Sequence, residues 1–137
     1  MFTLAEIEEE VRQLARKIDA PEGSLPTFGR SADFARPHIE IRDDRYHFVI
    51  EERGEELKRE STNDFRELLY WIFAEVTFDM ATGYEAEHRR PRVDFRRLMF
   101  ETQIGLLKRL DPSWAQRRQT DIDRILVQHP FRDLKNA

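Results

Sequence analysis

The sequence predicts an α+β fold of order α-β-β-β-α-α-α: an N-terminal helix, a three-stranded antiparallel meander, then three helices packed on the sheet. Three observations carry this. Apolar residues recur every three to four positions over residues 4–18, alternate in steps of two over residues 38–53, and return to helical spacing after residue 64. Turn-forming residues fall where the period changes. Ten Phe, three Tyr and two Trp in 137 residues supply one core and argue against disorder, so a single domain over residues 1–137 is expected.

Thr3-Leu4-Ala5-Glu6 reads as a capping box, and Leu4, Ile7, Val11, Leu14 and Ile18 form one apolar stripe behind it. The helix should stop near Asp19, because Pro21 and Gly23 follow. Residues 20–37 hold Pro21, Gly23, Pro26, Gly29 and Pro37 and read as an ordered loop, pinned by Leu25 and Phe28. Extended runs follow at His38–Arg42, Tyr46–Arg53 and Glu55–Ser61, turned by Asp43-Asp44 and by Gly54. In the middle run Tyr46, Phe48 and Ile50 point one way and His47, Val49 and Glu51 the other, which predicts one packed face and one mostly wet face. The third run has only Leu57 as a strong anchor and reads as an edge strand guarded by its charges.

Ser61, Thr62 and Asn63 offer N-caps for a long central helix running to about His88, with Phe65, Leu68, Leu69, Ile72, Phe73, Val76, Met80 and Tyr84 on its stripe. Trp71 and Phe78 lie off that stripe, so more than one face is apolar. Asp94 caps the next helix, with Phe95, Leu98, Met99, Thr102, Leu106, Leu107 and Leu110 inward. Asp111-Pro112 starts the last one, and His129-Pro130 closes it.

Several function classes lack their signatures. There is no cysteine, hence no disulfide, thiol catalysis or cysteine-rich zinc site. No apolar run approaches a membrane span, and the first residues lack a basic start followed by an apolar stretch, so a cytoplasmic protein without membrane contact is expected. No nucleophile elbow, phosphate loop or Walker lysine occurs. His38, His47, His88 and His129 are too dispersed for a metal pattern, and Glu85-x-x-His88 lacks the second copy that a di-iron bundle needs. Neither metal nor cofactor is expected.

Charge is distributed unevenly beneath the net −4. Residues 1–88 hold 11 basic and 21 acidic side chains, and residues 89–137 hold 12 and 6. Such a split can steer a charged partner, or it can reflect solvated helix faces that differ in sign. Arg89, Arg90, Arg92, Arg96 and Arg97 cluster around Pro91, a candidate phosphate-binding patch unless Glu85 and Glu87 pair with them. Glu51, Glu52, Glu55 and Glu56 crowd the second strand turn, where carboxylates are more often solvated or used to meet a basic partner, and do acid–base work only if burial separates their pKa values.

The runs Ser24-Leu25-Pro26-Thr27-Phe28-Gly29, Ala35-Arg36-Pro37-His38-Ile39-Glu40 and Tyr46-His47-Phe48-Val49-Ile50-Glu51-Glu52-Arg53-Gly54 resemble immunity protein 63. So do Glu67-Leu68-Leu69-Tyr70-Trp71-Ile72-Phe73, Val76-Thr77-Phe78 and His129-Pro130-Phe131, spanning about residues 4–133 in the same order. Immunity proteins of bacterial polymorphic toxin systems bind a cognate toxin domain and block it. The resemblance therefore implies a non-enzymatic toxin inhibitor that acts by occlusion, with a toxin domain as partner. An acidic surface suits a basic toxin groove, such as that of a nuclease. If binding uses the wet sheet face and its turns, His38, Glu40, His47, Glu51, Glu52 and Arg53 are the candidate partner-binding residues. Tyr70 and Trp71 rank behind them, since aromatics at helical spacing are more often core. The rival functions are a nucleic-acid-associated regulator using Arg89–Arg97 and an enzyme with a carboxylate site at Glu51 and Glu52. The oligomeric state is left open.

Overall fold

Helix α1 (Leu4–Lys17) begins as its capping box dictates. Thr3 Oγ1 accepts the Glu6 N–H at 3.1 Å, and Glu6 Oε1 accepts the Thr3 N–H at 2.9 Å. In this computed structural model, which describes residues 1–134, Ile7, Val11, Leu14 and Ile18 are buried along one stripe. Asp19 then turns left-handed (φ 54°) and ends the helical path.

The loop after α1 holds more order than its composition suggests. A single 3-10 turn (Glu22–Ser24) leads to Leu25, buried as expected, and then to a two-residue strand β1 (Thr27–Phe28). Strand β1 pairs in parallel with β2 (Pro37–Arg42), so the sheet has four strands and is mixed, where the sequence predicted three, all antiparallel. Gly29 (φ 83°) makes this possible: its N–H donates to the Ile39 carbonyl at 2.7 Å, and a Cβ there would meet Leu4 Cδ1 at 3.1 Å. Two residues are too few to leave a periodic trace.

Strands β2, β3 (Arg45–Glu52) and β4 (Glu55–Thr62) form the antiparallel meander, in the order β1-β2-β3-β4. Both hairpins have two-residue loops with positive φ at both positions, Asp43-Asp44 (54°, 57°) and Arg53-Gly54 (55°, 74°). That conformation matches the right-handed twist of the strands. On the packed face Ile39, Tyr46 and Phe48 are buried, and the Tyr46 hydroxyl accepts the Phe2 N–H at 2.8 Å. The Phe65 ring packs against Phe2 and Tyr46, with centroids 4.4 and 5.9 Å away. Strand β4 lies on the edge, as expected, but Leu57 does not anchor it and is 55% exposed.

Helix α2 (Phe65–Glu87) is capped by Asp64, not by Ser61, Thr62 or Asn63. Asp64 Oδ1 accepts the Arg66 N–H at 2.9 Å, while β4 extends through Thr62 and takes Ser61 and Thr62 into the sheet. The helix buries Leu68, Leu69, Tyr70, Ile72, Phe73, Val76 and Ala81 and leaves Tyr84 and Phe78 exposed. The chain divides into two compact units, Met1–Phe73 and a second that starts at Ala74, with the boundary inside α2.

In the second unit α3 (Phe95–Leu110) and α4 (Pro112–Gln128) are joined by Asp111 alone, whose Oδ1 caps α4 by accepting the Ser113 N–H at 2.8 Å. Ala81, Met99, Phe100 and Ile122 form its core, with Ile104, Leu126 and Phe131 against them. Phe95, expected inward, is exposed, and buried Gln103 takes part in the interior instead. Gln103 Nε2 donates to the Ala74 carbonyl (3.0 Å) and to Thr77 Oγ1 (3.3 Å), and its Oε1 accepts from Arg118 Nε (2.9 Å). One amide thus fixes the register of α2, α3 and α4. Asp94 has a similar role at the start of α3. It caps the helix, accepts from Arg96 at 2.8 Å and receives the Arg132 N–H at 2.9 Å, tying the C-terminal segment down.

Replacing Gln103 by Leu should lower unfolding free energy by about 1–3 kcal/mol, because the Arg118 guanidinium and Ala74–Thr77 lose their shared partner; urea denaturation unchanged within error would contradict this. The Asp94 carboxyl is held well below the usual aspartate range, chiefly by Arg96 and then by the two backbone N–H groups, against the opposing effect of burial. A depressed folded-state value gives stability that is complete above the ordinary aspartate pKa of about 3.9 and is lost as pH falls below it. Asp94→Asn, which keeps the cap and loses the charge, should flatten that acid loss, and Asp94→Ala should lower stability at pH 7 further by about 1 kcal/mol. Equal melting temperatures for the two variants across pH 3–7 would contradict this account.

Candidate partner-binding site on the sheet and its hairpin tip

Residues opposite one another in an antiparallel ladder share a face, so the registers His38↔Val49↔Arg59 and Glu40↔His47↔Ser61 place these side chains on the face away from Tyr46 and Phe48. The register then shifts: Ile50 pairs with Lys58 but Glu51 pairs with Glu56, leaving Leu57 as the extra residue of a β-bulge. In a regular strand residues three apart point to opposite faces. The bulge brings Glu56 onto the face of Arg59, and this explains both the outward Leu57 and the ion pair that follows.

Arg59 is the hub of this face. Its Nη2 donates to Glu56 Oε1 (2.7 Å) and Glu40 Oε2 (3.2 Å), its Nε to Glu56 Oε1 (2.9 Å), and its Nη1 to His47 Nδ1 (3.0 Å). A guanidinium only donates, so His47 Nδ1 is the acceptor and the ring proton sits on Nε2, which donates to the Arg42 carbonyl at 3.2 Å. His38 Nε2 donates to Glu40 Oε2 at 2.8 Å, and Arg42 adds a bond to Glu40 Oε1 at 3.0 Å. His38 Nδ1 is buried with no partner among the described residues. For Glu40 burial raises the pKa, but the bonds from His38 and Arg59 outweigh it and hold the carboxyl below its ordinary value. Glu56 is lowered by its bonds to Arg59, and Arg59 is raised in return.

This arrangement corrects the expectation of a wet face. His38 and His47 are buried, as is Val49, because the long side chains around them lie over the sheet in a closed network. The two histidines are therefore struts behind the surface. Glu40 is half-buried, and Glu51, Glu52 and Arg53 stand at or beside the β3–β4 turn. Sequence reasoning missed Arg59 altogether; its signal would have been the Glu56–Arg59 pair, which makes sense on one face only with a bulge.

At the turn itself the ladder sets Glu51 opposite Glu56 and Glu52 opposite Glu55. Like charges directly opposite destabilise a hairpin. Of these four carboxylates Arg59 pairs only with Glu56, so Glu51, Glu52 and Glu55 form an acidic tip without an intramolecular cation among the described residues. Beside it, Asp33, Phe34 and Ala35 are all left-handed (φ 58°, 55°, 62°), a conformation that costs non-glycine residues on the order of 1 kcal/mol each. Asp33 Oδ1 accepts the Gly54 N–H (3.3 Å), the Glu51 carbonyl accepts the Ala35 N–H (2.9 Å), and Arg36 donates to the Leu25 and Glu22 carbonyls.

The rival sites look different in the fold. Arg89 is bound by Glu85 (2.9 Å), Arg96 by Asp94 (2.8 Å) and Arg97 by Asp133 (2.9 Å), while Arg96 and Arg97 also lie over the Phe131 ring. Three members of the basic cluster are thus committed within the chain, with Glu85 in the pairing role foreseen for it. Glu85 is spent on that pair, and His88 stacks on Tyr84, which dissolves the Glu-x-x-His pattern. No group of three or more His, Asp or Glu side chains among the described residues is placed to hold a metal ion. No helix among them is long and apolar enough to cross a membrane.

The profile of the Immunity protein 63 family matches residues 43–124, more than half of the chain. The chain belongs to the Immunity protein 63 family. No curated protein and no solved structure gives a significant match. The matched stretch covers both sides of the acidic hairpin, the Arg59 hub, α2, α3 and most of α4. Immunity proteins are generally non-catalytic.

Arg59→Leu should destabilise the chain by about 2–4 kcal/mol, because it leaves buried His47 Nδ1 without its donor and takes one of three donors from half-buried Glu40. Arg59→Lys should restore only part of this, since an ammonium lacks the planar fork. Chemical denaturation of both variants tests it, and full restoration by Lys would contradict the hub.

Proposed function

We propose that this chain is an immunity protein that binds a cognate toxin domain of a bacterial polymorphic toxin system and neutralises it by occlusion, catalysing nothing. The observation that carries the proposal is the acidic hairpin tip: three carboxylates are kept together at a cost to the hairpin, which Arg59 braces, with no cation paired to them among the described residues. A basic surface on the partner would relieve that repulsion on binding, which is how complementary charge speeds encounter and fixes orientation. In this reading Glu40, Glu51, Glu52 and Arg53 meet the toxin directly, and His38 and His47 hold Glu40 and the strand in place. A surface formed before binding would lower the ordering cost of such occlusion. A cytoplasmic site of action fits protection of the producing cell.

The test is co-expression with the toxin domain encoded beside this gene, scored by growth rescue and co-purification. Wild type should rescue growth and co-purify. The double variant Glu51→Lys/Glu52→Lys should weaken the complex about tenfold or more, mainly by slowing association, with its melting temperature unchanged or raised. Unaltered affinity of the folded double variant would contradict the assignment of the tip as the interface. Absence of rescue and of any complex with wild type would contradict the immunity function itself.

A further inference from the structure

We infer that Phe34 is the apolar anchor of the toxin interface, inserted into an apolar pocket that the toxin domain flanks with Lys or Arg. The inference rests on the immunity function proposed above and deepens it by naming the contact that would hold the complex together. Phe34 is 87% exposed, the most exposed of the aromatic side chains, yet it is not on a loose segment. It is the middle of three consecutive left-handed residues clamped on both sides: Ser31 Oγ accepts the Asp33 N–H (2.9 Å), Asp33 Oδ1 accepts the Gly54 N–H, the Asp33 carbonyl accepts the Arg36 N–H (3.1 Å), and the Glu51 carbonyl accepts the Ala35 N–H. The bonds from Gly54 and to Glu51 attach the Phe34 turn to the same hairpin that carries Glu51, Glu52 and Glu55.

The surface therefore has an aromatic side chain preset in one place beside carboxylates that pair with no cation among the described residues. That is the composition of an interface centre, an aromatic anchor with a charged rim, and preorganisation lowers the ordering cost of binding. Charge fixes the chemistry of the occupant. A second copy of this chain would bring the same acidic tip against itself, whereas a toxin surface with cations around an apolar pocket would satisfy both parts.

The experiment measures binding of the full chain to the toxin domain encoded beside its gene, by calorimetry, for wild type, Phe34→Ala and Phe34→Leu. Because the ring is exposed, both variants should melt at the wild-type temperature. Phe34→Ala should raise Kd about thirtyfold or more, and Phe34→Leu, which keeps apolar volume, should lose clearly less. A Phe34→Ala affinity within twofold of wild type overturns the anchor while leaving the immunity function standing. No binding by wild type removes both. Sedimentation is run in parallel, and a wild-type dimer that Phe34→Ala dissociates would assign the ring to self-association and overturn the inference.

Discussion

One guanidinium organises the polar face of the sheet. Arg59 reaches Glu40 on β2, His47 on β3 and Glu56 on its own strand, so a single side chain crosslinks three strands where an apolar face would have needed a covering layer. Its reach depends on the bulge at Leu57, which turns Glu56 to the same side. The bulge has a second effect. It leaves Leu57 outside the pairing on an edge strand already crowded with charge, and both features discourage edge-to-edge association of the sheet.

That network also makes the acidic tip possible. Two like-charged cross-strand pairs would splay an isolated hairpin. Here the hairpin is held from below by Arg59 and from the side by the Asp33–Arg36 turn, which donates and accepts backbone hydrogen bonds with Glu51 and Gly54. Stability is thus supplied next to the tip and withheld at the tip, the pattern expected where a surface is shaped for a partner. In the second unit the arginines have the opposite economy: Arg89, Arg96 and Arg97 are satisfied by Glu85, Asp94 and Asp133 and by the Phe131 ring, and they serve the packing of their own segment.

Much of the fold was legible in the sequence where local chemistry decides it. The Thr3–Glu6 capping box, the Asp43-Asp44 and Arg53-Gly54 turns, the Asp94 cap and the Asp111-Pro112 start are each written in a few adjacent residues. What was hidden depends on residues far apart in the chain. Strand β1 exists because Gly29 meets Ile39, and neither residue announces the other. Asp64 took the cap of α2 because β4 ran through Thr62, one residue longer than its weak alternation indicated. The burial of His38 and His47 could not be read from strand alternation, which gives the face but not what lies over it; Arg59 on β4 bonds His47 directly and His38's partner Glu40. Gln103 is polar by type and interior by position, and only the three helices meeting there reveal it. The candidate site was therefore half visible: the tip carboxylates were evident as a charge cluster, while Phe34 and the Asp33–Arg36 turn beside them were not.

The account stands or falls on where the partner sits. Hydrogen–deuterium exchange of the chain alone and in complex with the toxin domain encoded beside its gene tests this most directly. The account predicts slowed exchange at residues 33–36 and 51–56, with residues 89–97 unchanged. Protection confined to the arginine segment, with the hairpin tip exchanging as in the free chain, would contradict it.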